Sequence, residues 1–578
     1  MWCKKCYRET AKEKCELCGE KTEREIPLEI YWCSLCKIPI IKYANSIDCD
    51  FCPACDGLIE YLCADLRPVF PEERLLFEII HKRPLAHIEQ SVWASDNRYY
   101  IDGKPIVIGS SFYKKLAPDV IREQLEKYAP KNSYSAFDVM IEQFVKANKT
   151  RFDEIISEAH EFIKGTASPY PNERIVISFS GGKDSTVTAD LTIRALGDPS
   201  LVHIFGNTTL EFPITLDYAA RYDNANPKAI FKTVINDEQD FYSVCEDIGP
   251  PARMLRWCCS MFKTGPITRI LNKLYGESNI LTFYGIRKHE SVSRSKYNRV
   301  EDSAESVKIQ KQKVASPIFF WKDIDVWLYI FNERLDFNDA YRIGYDRVGC
   351  WCCPNNNVRA QFLAQIYMPN QYAKWRDFLV KFARRIGKPD AEEYIDSGAW
   401  KARQGGNGVK AAQDIKIRYT NCTTEVHAKI YQLNRPIDTK FFELFVPFGR
   451  IVPELGRKLI NETIVTDLNT NVPILSIQPF AQSGYDYAIK IKTLNVEKQE
   501  NLQRMVGYQI KKYNACRKCL KCESLCRHRA IAIVGGEYHI NGDRCKRCKM
   551  CVTAKYLEGG CLMEKYLKTK TRNNEVKI

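Results

Sequence analysis

Apolar positions along the chain come in short blocks whose period changes from one region to the next. Residues 1–65 hold no long apolar run and are expected to form small, knuckle-like units. In residues 66–165, PEERLLFEII has the period of a helix, SVWASDNRYYIDGKPIVIG alternates as strands around a DGK turn, and PDVIREQLEKY is helical again. That order predicts a small α+β unit. Residues 166–395 alternate buried-strand runs (RIVISF, LVHIFGN, ILTFYGI) with helical stretches such as TVTADLTIRAL, the pattern of a parallel α/β sheet. Residues 396–505 mix strand-like runs, TKFFELFV and DYAIKIKTL, with polar turns, and GKPD and QGGNG mark loops near their start. Residues 506–578 form a last module, entered by the helix QENLQRMVGYQIKKY.

Composition narrows the class. Of 578 residues, 45% are hydrophobic and 27% charged, which is ordinary for globular chains. No window nears the ~18 apolar residues of a membrane span. The start, MWCKKCYRET, lacks the apolar stretch of a signal peptide. A cytoplasmic protein with no membrane partner is expected, without a disulfide framework. The 25 cysteines are clustered, ten before residue 64, eight after residue 515 and seven between, so they read as metal or cluster ligands. The net charge of +15 is also uneven, because residues 501–578 hold 18 Lys+Arg against 6 Asp+Glu, a difference of +12. Two readings stand side by side: a surface for nucleic acid or a redox partner, and compensation of negatively charged thiolate clusters.

The densest chemistry lies in RIVISFSGGKDSTVTADL. A strand ending at Phe179 runs into Ser180-Gly181-Gly182-Lys183-Asp184-Ser185, and a helix starts at once. Glycines let backbone N–H groups close on an anion. The helix N-terminus adds partial positive charge, Lys183 adds a full one, and Ser180 and Ser185 add hydroxyl donors. The loop is not of the GxxxxGK[ST] type. The alternative is a tight strand-to-helix turn with no ligand.

Further segments follow. Asn207-Thr208-Thr209 precedes Glu211-Phe212-Pro213 and Thr215. Arg256-Trp257-Cys258-Cys259 comes with Lys263 and Pro266. Gly285-Ile286-Arg287 comes with Glu290-Ser291 and Arg294. Pro317-Ile318, Trp321, Trp327 and Tyr341-Arg342-Ile343-Gly344-Tyr345 lead to Gly349-Cys350-Trp351-Cys352-Cys353-Pro354. In order and spacing these segments resemble the PP-loop ATP pyrophosphatase superfamily. Within it they resemble the phosphoadenosine phosphosulfate (PAPS) and adenylyl sulfate (APS) reductase family. The resemblance implies an α/β core of the adenine nucleotide alpha-hydrolase type, flanked by zinc-ribbon, small α+β and ferredoxin-like modules. It implies an adenine nucleotide, ATP or a sulfonucleotide, on Ser180, Gly181, Gly182, Lys183, Asp184 and Ser185, with Thr208, Glu211, Gly285 and Arg287 beside it. Lys183, Asp184 and Arg287 become catalytic candidates, and magnesium a further cofactor candidate.

Cys258-Cys259 and Cys350-x2-Cys353 offer four thiolates near that nucleotide, which suits one [4Fe-4S] cluster. Zinc also accepts four Cys, and two unrelated reduced pairs are a third reading. Cys352 is the surplus thiol and is carried forward as a catalytic candidate, with packing beside the ligands as its alternative. At the N-terminus, Cys3, Cys6, Cys15 and Cys18 form one CxxC-paired set, and Cys33, Cys36, Cys52 and Cys55 a second, as in zinc ribbons. Cys49-x2-Cys52 competes for the pairing, and Cys63 is spare. At the C-terminus, the spacing resembles a two-cluster ferredoxin in which each run lends its fourth ligand to the other cluster. Cys516, Cys519, Cys522 and Cys561 would hold one [4Fe-4S], and Cys545, Cys548, Cys551 and Cys526 the other. Zinc in place of one cluster is the alternative.

The resemblance implies an enzyme, either a sulfurtransferase or a sulfonucleotide reductase. The family's reductases carry a nucleophilic Cys in a Glu-Cys-Gly-…-His element, and no ECG string occurs in these residues. ATP-dependent adenylation with sulfur transfer is therefore the leading expectation. Nucleic acid is a candidate acceptor and a cysteine desulfurase a candidate sulfur donor. Reduction of APS or PAPS to sulfite, fed by an electron donor, is the first alternative. A non-catalytic nucleotide-sensing or nucleic-acid-docking subunit is the second.

Overall fold

The computed structural model describes residues 2–3, 6, 8–10, 12–22, 28–43, 50–276, 278–291, 294–302, 312–409, 411–554 and 557–568. Cys49 lies outside them. Numbering of elements begins with the central sheet. The apolar runs read from sequence become β1 (Ile175–Phe179), β2 (Val202–Gly206) and β4 (Ile280–Tyr284), joined by β3 (Ile230–Val234), β5 (Val300–Asp302) and β6 (Gln312–Ala315). The strand order is β3-β2-β1-β4-β6-β5. All neighbours are parallel except β5, an antiparallel edge. Ile175, Val176 and Ile177 are all buried, as expected of a strand covered by helices on both faces. The helices that matter below are α1 (Lys183–Leu196), α2 (Pro213–Ala225), α3 (Phe241–Ile248), α4 (Gly265–Tyr275) and α5 (Asp323–Asn332). The chain is thus an α/β protein on a doubly wound sheet. Strand order reverses between β1 and β4, and the cleft at their carboxyl ends is where such sheets bind ligands.

The N-terminal segment builds a three-stranded sheet, Ile38–Tyr43, Leu28–Cys33 and Ile59–Cys63. A four-stranded antiparallel sheet follows, ending at Lys104–Val107. Helices Ser135–Ala147 and Lys149–Ala167 bind these parts to the centre. Phe137, Phe144, Phe152 and Ile155 share one core with Ile30, Ile38, Ile175 and Ile177. Buried Arg151 makes two hydrogen bonds to buried Asp325, at 3.0 and 3.1 Å.

Residues 419–493 form a six-stranded antiparallel sheet. DYAIKIKTL supplies the strand Tyr487–Thr493. TKFFELFV does not form the expected strand, because Thr439–Phe445 is a 3-10 helix. The Asp438 side chain accepts from the Phe441 N–H, and Phe441, Leu444 and Phe445 bury one helical face. Spacing of i, i+3, i+4 outweighed the run's strand-like composition. The helix Gln499–Ala515 is followed by the C-terminal hairpin Ile531–Val534/Glu537–Ile540. No helix among the described residues is long and apolar enough to cross a membrane.

Candidate nucleotide site and cysteine centres

Ser180–Ser185 closes the cleft at the end of β1. Gly181 has φ +71°, and a Cβ there would meet Thr215 at 2.9 Å, so the turn requires glycine. The loop is braced from within and from afar. The Ser185 hydroxyl donates to Gly182 O at 2.8 Å and accepts from the Ser180 N–H at 3.1 Å. The Lys183 N–H donates to the Tyr341 hydroxyl at 3.0 Å. Asn338, fully buried, donates from Nδ2 to Gly181 O at 2.9 Å. α1 begins at this loop without a side-chain cap, so its positive end faces the cleft. The resulting cavity, about 530 Å³, is walled by Ser180, Lys183, Gly206, Lys263, Tyr284 and Cys350 among others. That is the scale of a small-molecule site.

A buried ion network forms its floor. Arg287 pairs with Asp184 and reaches Asp323 at 2.7 Å. Lys183 Nζ lies 3.0 Å from Asp323 and 3.5 Å from Asp184. Burial alone would raise the Asp184 carboxyl. The Arg287 guanidinium and Lys183 ammonium outweigh that and hold it at about 2. Against the same burial, Asp184 and Asp323 push Lys183 and Arg287 above their ordinary values. Gly285 lets β4's loop approach: a Cβ there would sit 2.5 Å from Asp184 O.

Across Arg287 lies a second, polar cavity of about 580 Å³. It shares Arg287, Glu290 and Arg347 with the first and is closed by residues of the N-terminal part, among them Asp65, Ser95 and Asp96. Asp65 accepts from the N–H groups of Asp323 (3.0 Å) and Ile324 (3.2 Å) at the start of α5. Burial and the neighbouring Asp323 raise its carboxyl to about 6.

The central cysteines flank the nucleotide cavity. Glu211 and Cys350 form an antiparallel bridge, and the Trp351 N–H donates to Leu210 O at 2.9 Å, which fixes the Cys350–Cys353 turn to the end of β2. Thr208 Oγ1 donates to Glu211 at 2.8 Å and lies 3.6 Å from Cys350 Sγ. Cys259 opens a π-helical turn, Cys259–Thr264, of the kind found at functional sites. A hydrogen bond with Cys258 and the Arg256 guanidinium, 3.4 Å away, hold the Cys259 thiol at about 5. Cys258, Cys259, Cys350 and Cys353 converge on one another electrostatically. Cys352 does not join the cavity. It is buried in the core with Cys245 and Trp375, and burial pushes its thiol well up. Cys350, Cys353 and Cys258 are its electrostatic neighbours, so it packs directly behind the candidate ligands.

Residues 174–356 match the phosphoadenosine phosphosulfate reductase domain. That match spans the central domain, about a third of the chain. The chain is 32% identical over 276 residues to an uncharacterized protein of Methanocaldococcus jannaschii, covering 48% of this chain and 55% of that one. It covers 61% of a second protein of that organism, 31% identical. It thus spans under two thirds of these relatives. An adenosine 5'-phosphosulfate reductase of Staphylococcus epidermidis is 24% identical over 213 residues, covering 36% of this chain and 80% of the reductase. The crystal structure of the Candida auris phosphoadenylyl-sulfate reductase, a phosphate complex, covers 35% of this chain and 95% of its own, at 17% identity and a TM-score of 0.28.

Around the reductase-family domain the cysteine sets differ in spacing. Cys3, Cys6, Cys15 and Cys18 gather with all Sγ atoms within 4.8 Å, as do Cys33, Cys36, Cys52 and Cys55. Sγ pairs stand 3.4, 3.5 and 4.0 Å apart. Four thiolates at 2.3 Å from one zinc sit about 3.8 Å apart on a tetrahedron, so both sets fit a zinc ribbon. Backbone N–H groups of Cys6 and Cys36 point to Cys3 and Cys33 Sγ, each at 3.4 Å. Cys63 sits apart, its thiol donating to Asp65 O at 3.3 Å. Among the described residues no other set gathers this tightly. The central and C-terminal sets do not gather within that distance.

The C-terminal cysteines lie close together, and their electrostatic neighbours run within and across the two expected sets, Cys551 being influenced by Cys522 of the first as well as by Cys526 and Cys545. Cys519 and Cys561 both interact with Cys516 and Cys522. Cys545 interacts with Cys526 and Cys548, and Cys551 with Cys526 and Cys545. This module packs directly on the reductase-family domain. A Cβ on Gly265 would meet Leu520 at 2.8 Å, and Arg269 pairs with Glu523 at 2.8 Å. Tyr566 lies among Cys519, Cys259 and Cys258, with its hydroxyl toward Ser260.

Sequence reasoning assigned no role to Asp65, Asp323, Asn338 or Tyr341. Each reaches the site from a distant segment. Only Tyr341 had a signal, in the YRIGY block that accompanies the loop.

Proposed function

We propose that this chain is an enzyme of sulfur metabolism that uses the PP-loop to adenylate an acceptor with ATP and then installs sulfur in place of the activated oxygen. The observation that carries this reading is the pair of cavities meeting at Arg287. Reduction of one sulfonucleotide needs one substrate cavity, whereas adenylation of an acceptor needs two. In the first step the acceptor oxygen attacks the α-phosphorus and pyrophosphate leaves. In the second, hydrosulfide adds at the acceptor carbon, the oxygen departs with AMP, and a proton is released. Ser180, Gly181, Gly182 and Ser185 would hold phosphate oxygens. Lys183 and Arg287, kept charged by Asp184 and Asp323, would stabilise charge that grows at phosphorus. Thr208, Glu211 and Gly285 would shape the nucleotide end, with Glu211 available to a magnesium ion.

Cys258, Cys259, Cys350 and Cys353 would hold an iron–sulfur cluster, whose chemistry when bound is electron transfer and sulfur handling. The two C-terminal sets would hold two further [4Fe-4S] clusters, and the N-terminal sets zinc. A cysteine desulfurase would supply sulfur as a persulfide, and two electrons from an electron donor, passed through these clusters, would release it as hydrosulfide.

A second reading, reduction of APS or PAPS to sulfite, is favoured by the named activity of the Staphylococcus relative. The packing of the C-terminal module on the central domain beside Cys259, through Gly265 against Leu520 and Arg269 paired with Glu523, also favours it. One experiment separates them. Anaerobically purified protein, with iron and zinc counted, is given ATP, APS or PAPS with a low-potential reductant. Pyrophosphate from ATP supports adenylation. Sulfite from a sulfonucleotide, with no pyrophosphate from ATP, overturns it in favour of reduction.

A further inference from the structure

The two C-terminal cysteine sets are not equivalent in position. Cys519, Cys522 and Cys561 are buried and Cys516 is half-buried, and this end packs on the central domain, where a Cβ on Gly265 would meet Leu520 at 2.8 Å and Arg269 pairs with Glu523 at 2.8 Å. In the other set Cys551 is buried, Cys526 and Cys545 are half-buried, and Cys548 is exposed. If both sets hold clusters, the Cys526/Cys545/Cys548/Cys551 end, which carries the exposed Cys548, is the entry for electrons bound for the central cysteines.

Charge around the entry end is one-sided. Arg527 adjoins Cys526, Arg544 and Lys546 flank Cys545, and Lys549 follows Cys548; Arg527, Arg544 and Lys546 are exposed. Asp543 is the carboxylate in the stretch 541–550. Compensation of thiolate charge does not require these side chains. Lys512, buried, donates to Cys551 O, and Lys521 lies beside Cys519 and Cys522. Nor does the +12 of residues 501–578 continue over the zinc ribbons, since residues 1–65 carry 9 Lys+Arg against 12 Asp+Glu. A basic face that excludes the ribbons and surrounds the exposed Cys548 matches an electron carrier better than a nucleic acid, which has no use for that location.

We propose that Arg544, Lys546 and Lys549, around the exposed Cys548, form the docking face for a small acidic electron-carrier protein. This rests on reading the C-terminal cysteines as an electron relay. It does not depend on whether the central domain adenylates or reduces. The expected association is electrostatically steered and weakens steeply with salt.

The test uses the full chain, purified anaerobically, and an acidic ferredoxin as the probe. Binding is measured by calorimetry across a salt series for wild type and for the Arg544→Glu/Lys546→Glu double variant. Lys381→Glu/Lys388→Glu, on a remote helix and its following loop, is the control. Iron content and reduction by photoexcited deazaflavin, a small reductant that needs no docking face, show that the variant retains its clusters. The Lys546→Gln variant serves if the double variant loses iron. Expected are salt-sensitive binding by wild type and control, and about tenfold or greater weakening in the double variant. Equal binding by wild type and double variant overturns the proposal. So does loss of RNA binding on charge reversal while the ferredoxin is ignored. A C-terminal module without iron overturns the relay reading itself, whatever ATP and sulfonucleotide assays show.

Discussion

Replacing Arg287 by Met tests the ion network that underlies the nucleotide site. The guanidinium is about 5% exposed and faces two carboxylates, Asp184 and Asp323. Removing one partner of a buried pair costs about 3–5 kcal/mol, because the remaining charge stays buried. Lys183 remains near both carboxylates, so the lower end, about 3 kcal/mol, is expected. An independent figure comes from Asp184, held near 2 rather than 3.8. Nearly two units at 1.36 kcal/mol each give about 2.5 kcal/mol net of the burial that opposes it, so the two cations together supply more than that, Arg287 being the larger of the two. A double-mutant cycle with Asp184→Asn should thus show a coupling of about 2 kcal/mol. A depressed carboxylate stabilises the fold above its unfolded pKa and loses that contribution as pH falls from about 4 to about 2. Thiolate metal sites release their metals in acid, so the cycle is cleaner than a pH titration. Because a chain of this size need not unfold in one step, the assay is amide hydrogen exchange on peptides spanning β1 and α1. Exchange should quicken about a hundredfold in Arg287→Met and far less when Asp184→Asn is added. A coupling below about 0.5 kcal/mol would refute the claim that these residues hold the loop as a unit.

Gly285→Ala places a methyl 2.5 Å from Asp184 O and 2.8 Å from Ser185 N, backbone atoms that cannot swing aside. Adenine nucleotide affinity should fall at least about tenfold by calorimetry, consistent with overpacking costs of about 1–3 kcal/mol. Cys352→Ala should keep full iron content and turnover, with destabilisation of about 1 kcal/mol in chemical denaturation, whereas Cys259→Ser should lose the central iron. Retained iron with lost turnover in Cys352→Ala would return that thiol to the chemistry. Asp65 has a folded pKa raised to about 6, so its proton favours the fold below about 4 and that contribution disappears as pH rises to 6. Asp65→Asn should therefore stabilise the protein at pH 7 and flatten its stability between pH 4 and 6, measured by thermal melts.

What could be read from the sequence follows from where the constraint is local. Ser180–Ser185 was legible because a backbone cradle needs glycine and a nearby cation in consecutive positions. The cysteine sets were legible because a metal fixes CxxC spacing. The direction of Cys352 was not, since its neighbours in Cys350-Trp351-Cys352-Cys353 constrain the turn and leave each thiol's side to the core it meets. Asn338 and Tyr341 were invisible as loop braces, because their partners Gly181 and Lys183 lie more than 150 residues earlier. The Thr439–Phe445 run was misread because Phe, Leu and Val suit a strand by composition, while Asp438 and the i, i+3, i+4 burial decide for a helix.

The charge balance of the cleft bears on how a nucleotide enters it. Lys183 and Arg287 are matched by Asp184 and Asp323, while Arg294 and Arg347 are matched by Glu290. A triphosphate arriving alone would draw these cations away and leave buried carboxylates uncompensated, at several kcal/mol each. A divalent cation carried with the phosphates restores the balance, and a hard cation with oxygen ligands is suited to it. ATP binding should therefore be far weaker with excess chelator than with magnesium. Asp184→Asn, with one carboxylate fewer to compensate, should reduce that difference. Calorimetry on the iron-loaded protein measures both. Equal affinity for ATP with and without magnesium in the wild type would mean that the network opens without exposing its carboxylates, and that the loop's cations are not held in reserve by Asp184 and Asp323.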